Sequence, residues 1–275
     1  MPQVSNSKTT DSIGLGEFTS ILSDLLPSTT YYVRAYATNA NGTAYGEQRS
    51  FTTQKEPSFT DSRDGKAYKT VTIGEQVWMA EDLAYLPSVV GPATESFTAP
   101  YYYVYGYDGT SVATAKATTN YTTYGVLYNW PAAMNGAASS DSNPSGVQGI
   151  CPSGWHLPSD AEWKQLEMYL GMTSTQADLM GWRGTAVGGK LKEEGTTHWD
   201  SPNTGATNTS GFTALPGGVR GGGRFASIGI YGNRWSSTED ITEAAWARCL
   251  DYDTSLVYRG TFLKANGYSV RCLRD

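Results

Sequence analysis

The chain has 275 residues, 39% of them hydrophobic and only 17% charged, with 19 Tyr, 8 Trp and 31 Gly. Many aromatics and glycines with few charges suit a loop-rich, β-rich extracellular domain better than a helical cytosolic enzyme. The net charge is −6, no run of Lys/Arg exceeds two residues, and no stretch approaches the ~18 consecutive apolar residues of a membrane span; a nucleic-acid footprint and membrane insertion are therefore not expected.

No basic start leads into an apolar segment, so no signal peptide is expected within this chain. Residues 1–54 differ in character from the rest. Apolar and polar residues alternate from Tyr31 to Ala37, which predicts a half-buried strand. Asn41-Gly42 marks a turn, and Tyr45 to Thr53 is the return strand. The Leu25-x-Pro27-x-Thr29-x-Tyr31 pattern resembles the tyrosine corner of a fibronectin type III domain, and Phe51-Thr-Thr53 resembles its last strand. The resemblance implies that Tyr31 bonds upstream backbone. A whole sandwich takes on the order of 100 residues, so the first strands are expected to lie outside this chain. The partial domain should then lean on its neighbour, or be completed by another chain or copy.

Residues 55–62 are a polar linker, and residues 63–275 form the main domain. A hairpin is predicted from Tyr68–Ile73, a turn at Gly74, and Gln76–Met79. Residues 84–123 show little periodicity and are expected to form a long ordered loop with short strands. Tyr124 to Trp130 is aromatic and expected in the core. Ser159 as N-cap, with Glu162 three residues on, gives a capping box. Trp163, Leu166 and Leu170 then share one helix face, and Gly171 ends the helix. A second short helix starts near Thr173, with Gln176 three residues on. Short strands follow in 212–220 and 234–238, then near Ala244–Leu250, Ser255–Arg259 and Tyr268–Leu273.

Six ordered blocks carry a further resemblance. They are Asp64-Gly-Lys with Trp78-Met-Ala-Glu-Asp-Leu83, Tyr124-Gly-Val-Leu-Tyr-Asn-Trp130, Gly149-Ile-Cys-Pro-Ser-Gly-Trp-His-Leu-Pro-Ser-Asp-Ala-Glu-Trp163, Gly211-Phe-Thr-Ala-Leu-Pro-Gly-Gly218, Trp235-Ser-Ser-Thr-Glu239 and Gly267-Tyr-Ser-Val-Arg-Cys272. Together they resemble the Fibrobacter succinogenes major paralogous domain of surface proteins in Bacteroidetes and relatives. The resemblance implies an α+β, C-type-lectin-like domain related to formylglycine-generating enzymes, with adhesion or ligand binding as its role. Cys151 and Cys272 occupy family positions, which implies a disulfide closing a loop of about 120 residues. The alternative is two buried thiols in a reducing compartment. Cys249 departs from the family pattern and is either a free surface thiol or a competing partner. Residues 230–266 also resemble the variable segment of diversity-generating-retroelement proteins, including phage receptor-binding proteins.

Catalytic and metal chemistry find little support. His156, between Trp155 and Leu157, is expected as a hydrogen-bonded core imidazole. His198 and Asp200 offer two ligands without a third, and no Cys-x-x-Cys occurs. The Glu-Pro-Asn, Gln-Pro-Asp and Trp-Asn-Asp calcium motifs of sugar-binding lectins are missing, so no cofactor is expected, while a structural calcium stays open. The glycine-rich 217–223 stretch lacks the Gly-Lys-Ser/Thr of a phosphate loop and is expected to be a tight bend. Carboxylate pairs such as Glu193/Glu194 are expected to be solvated. The remaining expectation is a non-enzymatic, surface-displayed binding module for an extracellular protein or glycan, on a cell or virion. Its ligand face would use Tyr231, Arg234, Asp240, Cys249, Asp251, Asp253, Tyr258, Arg259 and Phe262, because Tyr, Trp and Arg dominate interface hot spots. Trp246, Leu250 and Tyr252 are expected in the core. The competing readings are a diversified receptor-binding protein, a structural module without its own ligand, and an enzyme descended from the formylglycine-generating fold.

Overall fold

The computed structural model describes residues 1–11, 16–22, 25, 29–53 and 57–275. The chain forms two compact units, Met1–Pro57 and Ser58–Asp275. In the first, β1 (Thr30–Asn39) and β2 (Gly42–Thr52) make an antiparallel hairpin. Its turn is set by the Asn39 side chain, which accepts a bond from the Asn41 amide at 2.8 Å. Tyr31 stacks on Phe51 with ring centroids 6.0 Å apart. The predicted tyrosine corner passes through Pro27, and the predicted linker through residues 54–56; both lie outside the described residues.

The second unit opens with β3 (Ser58–Thr60), in a stretch expected to be linker, followed by β4 (Ala67–Ile73) and β5 (Gln76–Met79). Then come β6 (Tyr102–Tyr103), α1 (Val112–Lys116), α2 (Thr119–Tyr124), β7 (Leu127–Tyr128), α3 (Trp130–Met134), β8 (Trp155–His156) and α4 (Asp160–Tyr169). The middle holds α5 (Ser174–Asp178), β9 (Gly181–Arg183), α6 (Val187–Leu191), β10 (Val219–Gly221) and β11 (Arg224–Ala226). Last are β12 (Tyr231–Ile241), β13 (Ala244–Asp251), β14 (Val257–Leu263) and β15 (Leu273–Arg274).

These strands make a five-stranded sheet, ordered β3-β4-β5-β15-β8, and a four-stranded sheet, ordered β12-β13-β14-β9, with small ribbons β6-β7 and β10-β11. The α+β, C-type-lectin-like expectation is therefore corrected: the molecule is a β-rich mixture of small sheets with few helices. The physical reason lies in the helix ends. Ser111, Thr118 and Asn129 each cap a helix start with a side-chain bond. Stops such as Gly125 (φ 73°) and Asn135 (φ 49°) follow within five or six residues. Among the described residues only α4 reaches 10 residues, too little to make a helical layer. The same brevity hid α1 and α2 inside the predicted loop 84–123, since five residues cannot display a 3.6-residue period.

The α4 expectation is met. Ser159 and Glu162 form the full capping box, Trp163, Leu166 and Leu170 are buried, and Gly171 follows at φ 117°. Thr173 and Gln176 cap α5 in the same way. Cys151 and Cys272 are disulfide-bonded. The amide of Met79 bonds the Cys272 carbonyl at 3.0 Å, and β15 sits between β5 and β8. One core cluster surrounds this closure with Tyr68, Trp155 and Trp235. A second packs Trp78, Trp163, Phe212, Leu250 and Val257 beneath α4.

Candidate functional site

The four-stranded sheet sorts its side chains by register. One row across it is Asn233, Cys249, Tyr258 and Trp182; the adjacent row is Arg234, Arg248 and Arg259. Neighbouring residues on a strand point to opposite faces, so these rows belong to opposite sides of the sheet.

The arginine row is buried. Arg234, Arg248 and Arg259 are 2%, 2% and 8% exposed. Arg248 donates to Glu167 through Nε and to Asp160 through Nη1, both at 2.7 Å. Arg259 donates to Asp160 at 2.7 Å and lies 3.8 Å over the Trp246 ring. Arg183 also binds Glu167. Arg234 grips Asp82 bidentately at 2.8 Å, and Arg271 reaches the same carboxylate at 2.9 Å. Burial would raise the Asp160 pKa, but Arg248 and Arg259 outweigh it and hold the carboxyl at about 2. The outward placement expected of Arg234 and Arg259 is thus corrected. Carboxylates of α4 and the 80–84 segment cover that face and draw the guanidinium groups inward.

The other face carries aromatic rings. Trp182 meets Tyr258 at 5.2 Å, Tyr258 meets Phe262 at 5.8 Å, Phe262 meets Tyr268 at 5.4 Å, and Tyr268 meets Trp235 at 4.6 Å. The row runs from Trp235, 0% exposed, to Trp182, 39% exposed. Tyr258 and Phe262 are half-buried between these ends. The Tyr258 ring packs against Gly260, where a Cβ would come within 2.6 Å of it; glycine is what lets the ring settle there.

Tyr231, Cys249 and Asp251 share this face by register. Tyr231 is half-buried, while Cys249 and Asp251 are buried among their neighbours, which corrects the expectation that these two side chains are exposed. Burial pushes the Cys249 thiol pKa well up and, together with the Asp253 charge, raises that of Asp251. Asp240 is exposed near the end of β12, and Asp253 is exposed in the turn that follows β13. Of the expected core residues, Leu250 is buried, while Trp246 and Tyr252 are half-buried. Sequence reasoning missed Lys192. Its Nζ donates to the carbonyls of Thr204, Asp251 and Thr254 at 3.1, 2.8 and 2.9 Å, bracing the loop that carries Asp253. Burial brings its pKa down to about 8.

The histidines are held by carboxylates. His156 bonds Glu162 at 2.8 Å and Asp275 at 2.7 Å, as expected of a hydrogen-bonded core imidazole. Burial would lower its pKa, but these partners raise it. His198 pairs with Glu193 at 2.8 Å, so Glu193 is a partner and not merely solvated. Among the described residues, no group of three or more His, Cys, Asp or Glu side chains could hold a metal ion. The 217–223 stretch runs through β10 into the turn before β11, with Gly222 and Gly223 at φ 56° and 75°. No described helix is long and apolar enough to cross a membrane.

A β-rich domain closed by a disulfide, with one face of a sheet locked by arginines and the other lined by half-exposed rings, is the class of structure seen here. The sequence pattern of the Fibrobacter succinogenes major domain matches residues 71–274, and the chain belongs to that family. No curated protein and no solved structure gives a significant match.

Proposed function

We propose that residues 58–275 form a non-enzymatic binding module of an extracellular, cell or virion surface, with its protein or glycan ligand seated on the aromatic face of β9, β13 and β14. The observation that carries this reading is the continuous row of rings emerging from the core at Trp235 to half-exposed Tyr258 and exposed Trp182. Aromatic rings anchored at one end offer large contact area with little entropy left to lose. Tyr231 and Asp253 would add polar contacts at the rim. The Cys151–Cys272 disulfide supports an oxidising, extracytoplasmic setting. Cys249 is buried and burial pushes its thiol pKa up, which disfavours it as a nucleophile. The hairpin β1-β2 pairs with no other described strand, which supports its completion by a further chain or copy.

A glycan and extracellular-protein array tests this reading. Wild-type protein should capture a ligand that Trp182→Ala and Tyr258→Ala proteins capture at least tenfold more weakly. An array without a ligand, or a ligand indifferent to both replacements, would sink it. One observation favours the narrower reading of a diversified receptor-binding protein. Along β9 and β14, residues locked in ion pairs (Arg183, Arg259) alternate with solvent-reaching residues of the aromatic face (Trp182, Tyr258). Substitution on the open face would then leave the framework untouched. Sibling sequences whose differences scatter evenly over both faces would remove that reading.

A further inference from the structure

The buried side of the sheet carries more positive charge than its carboxylates offset. Arg183, Arg248 and Arg259 share Asp160 and Glu167, while Arg234 and Arg271 share Asp82. Lys164, at the solvent edge 3.8 Å from Asp160, is offset by its own partner Asp178 at 3.0 Å, and half-buried Glu81 adds attraction at Arg271. Burial brings both Arg183 and Arg271 down to about 10 despite their carboxylate partners. The imbalance is sharpest between β12 and β13, where Arg234 and Arg248 are directly paired. Like charges directly opposite each other destabilise a sheet. Asp82 serves Arg234, Asp160 and Glu167 serve Arg248, and none of the three bonds both arginines.

At that gap is a cavity of about 10 Å³ lined by Trp163, Glu167, Phe212, Arg234, Arg248 and Leu250, room for one water-sized occupant. Glu167 has both oxygens engaged, one by Arg248 and one by Arg183. Trp163 is 2% exposed, and its indole Nε1 is buried without a hydrogen-bond partner. A buried N–H is rarely left unsatisfied. A neutral water would satisfy the indole and leave the charge excess in place, whereas an anion answers both.

We infer that this cavity is a site for a single monatomic anion, chloride in ordinary saline, held between the Arg234 and Arg248 guanidinium groups with the Trp163 indole as a neutral donor. The ion removes the repulsion within the arginine row and ties α4 to β12 and β13. This site lies on the opposite side of the sheet from the aromatic ligand face, so it stands whether or not that face binds.

The test uses the full chain, prepared and crystallised in sodium bromide, with data collected at the bromine edge. An anomalous peak in the cavity, within reach of Arg234, Arg248 and Trp163, is expected; water density or an empty cavity there overturns the proposal. In solution, the denaturation midpoint should rise saturably with sodium chloride or bromide relative to sodium gluconate at equal ionic strength. Trp163→Phe, which keeps an apolar ring and removes the donor, should raise the half-saturating halide concentration roughly tenfold, as expected for one hydrogen bond to a charged group. Midpoints that coincide in chloride and gluconate overturn the site independently of the crystal.

Discussion

The two faces of the β12-β13-β14-β9 sheet are built from the same strands by alternation, yet they have opposite properties. On one, Arg234, Arg248 and Arg259 are buried and bound to carboxylates from distant parts of the chain. On the other, Trp182, Tyr258 and Phe262 touch one another edge-on or tilted, and the row opens to solvent at Trp182. A buried ion pair contributes little net stability when whole and costs much when broken, because the surviving charge is stranded. A half-exposed ring is nearly the reverse: its loss costs the fold little and a partner much. The sheet thus gathers its charge network on one face and its solvent-reaching rings on the other.

The largest effect should follow from breaking the locked face. Arg248→Met removes one of the two guanidinium partners of Asp160 and of Glu167, which keep Arg259 and Arg183, and should destabilise the domain by about 2–3 kcal/mol in denaturant titrations. A loss near zero would mean that the arginine row does not hold the sheet. Next is the acid limb. Asp160 has an ordinary value of 3.8 and is held at about 2. A lowered folded pKa adds stability that is complete above the unfolded value, so this contribution should fade as pH drops from about 4 toward 2. Its size is roughly 2 kcal/mol, and Asp160→Asn should flatten that part of the stability–pH curve. On the open face, Tyr258→Ala should cost only about 1 kcal/mol of stability. Smallest for the fold is Gly260→Ala, whose methyl would meet the Tyr258 ring at 2.6 Å. It should tilt the ring and weaken ligand capture while shifting the denaturation midpoint less than Tyr258→Ala does.

Local signals were legible in the sequence wherever one stretch of chain decided the outcome. Ser159 with Glu162, and Thr173 with Gln176, announced α4 and α5 because each capping box is complete within four residues. The 68–79 hairpin and the Cys151–Cys272 bond were legible for similar reasons, the bond through family resemblance. The direction of the arginines was not. Alternation tells which residues share a face and not which face is covered. The covering groups are remote: Asp82 lies 152 residues before Arg234, and Asp160 lies 88 residues before Arg248. Charged side chains were therefore expected outward, while Lys192 and its three carbonyls escaped notice entirely. The fold class was misjudged for a related reason. Family resemblance implied an α+β, C-type-lectin-like domain, whereas this chain forms small sheets with few, short helices.

The central claim is that the aromatic face binds while the arginine face holds the fold. The most direct measurement is capture of the array ligand by the Trp182→Ala/Tyr258→Ala double variant, checked to unfold within about 2 kcal/mol of wild type. The account predicts that capture falls at least a hundredfold in a folded protein. Undiminished capture by that folded variant would contradict it.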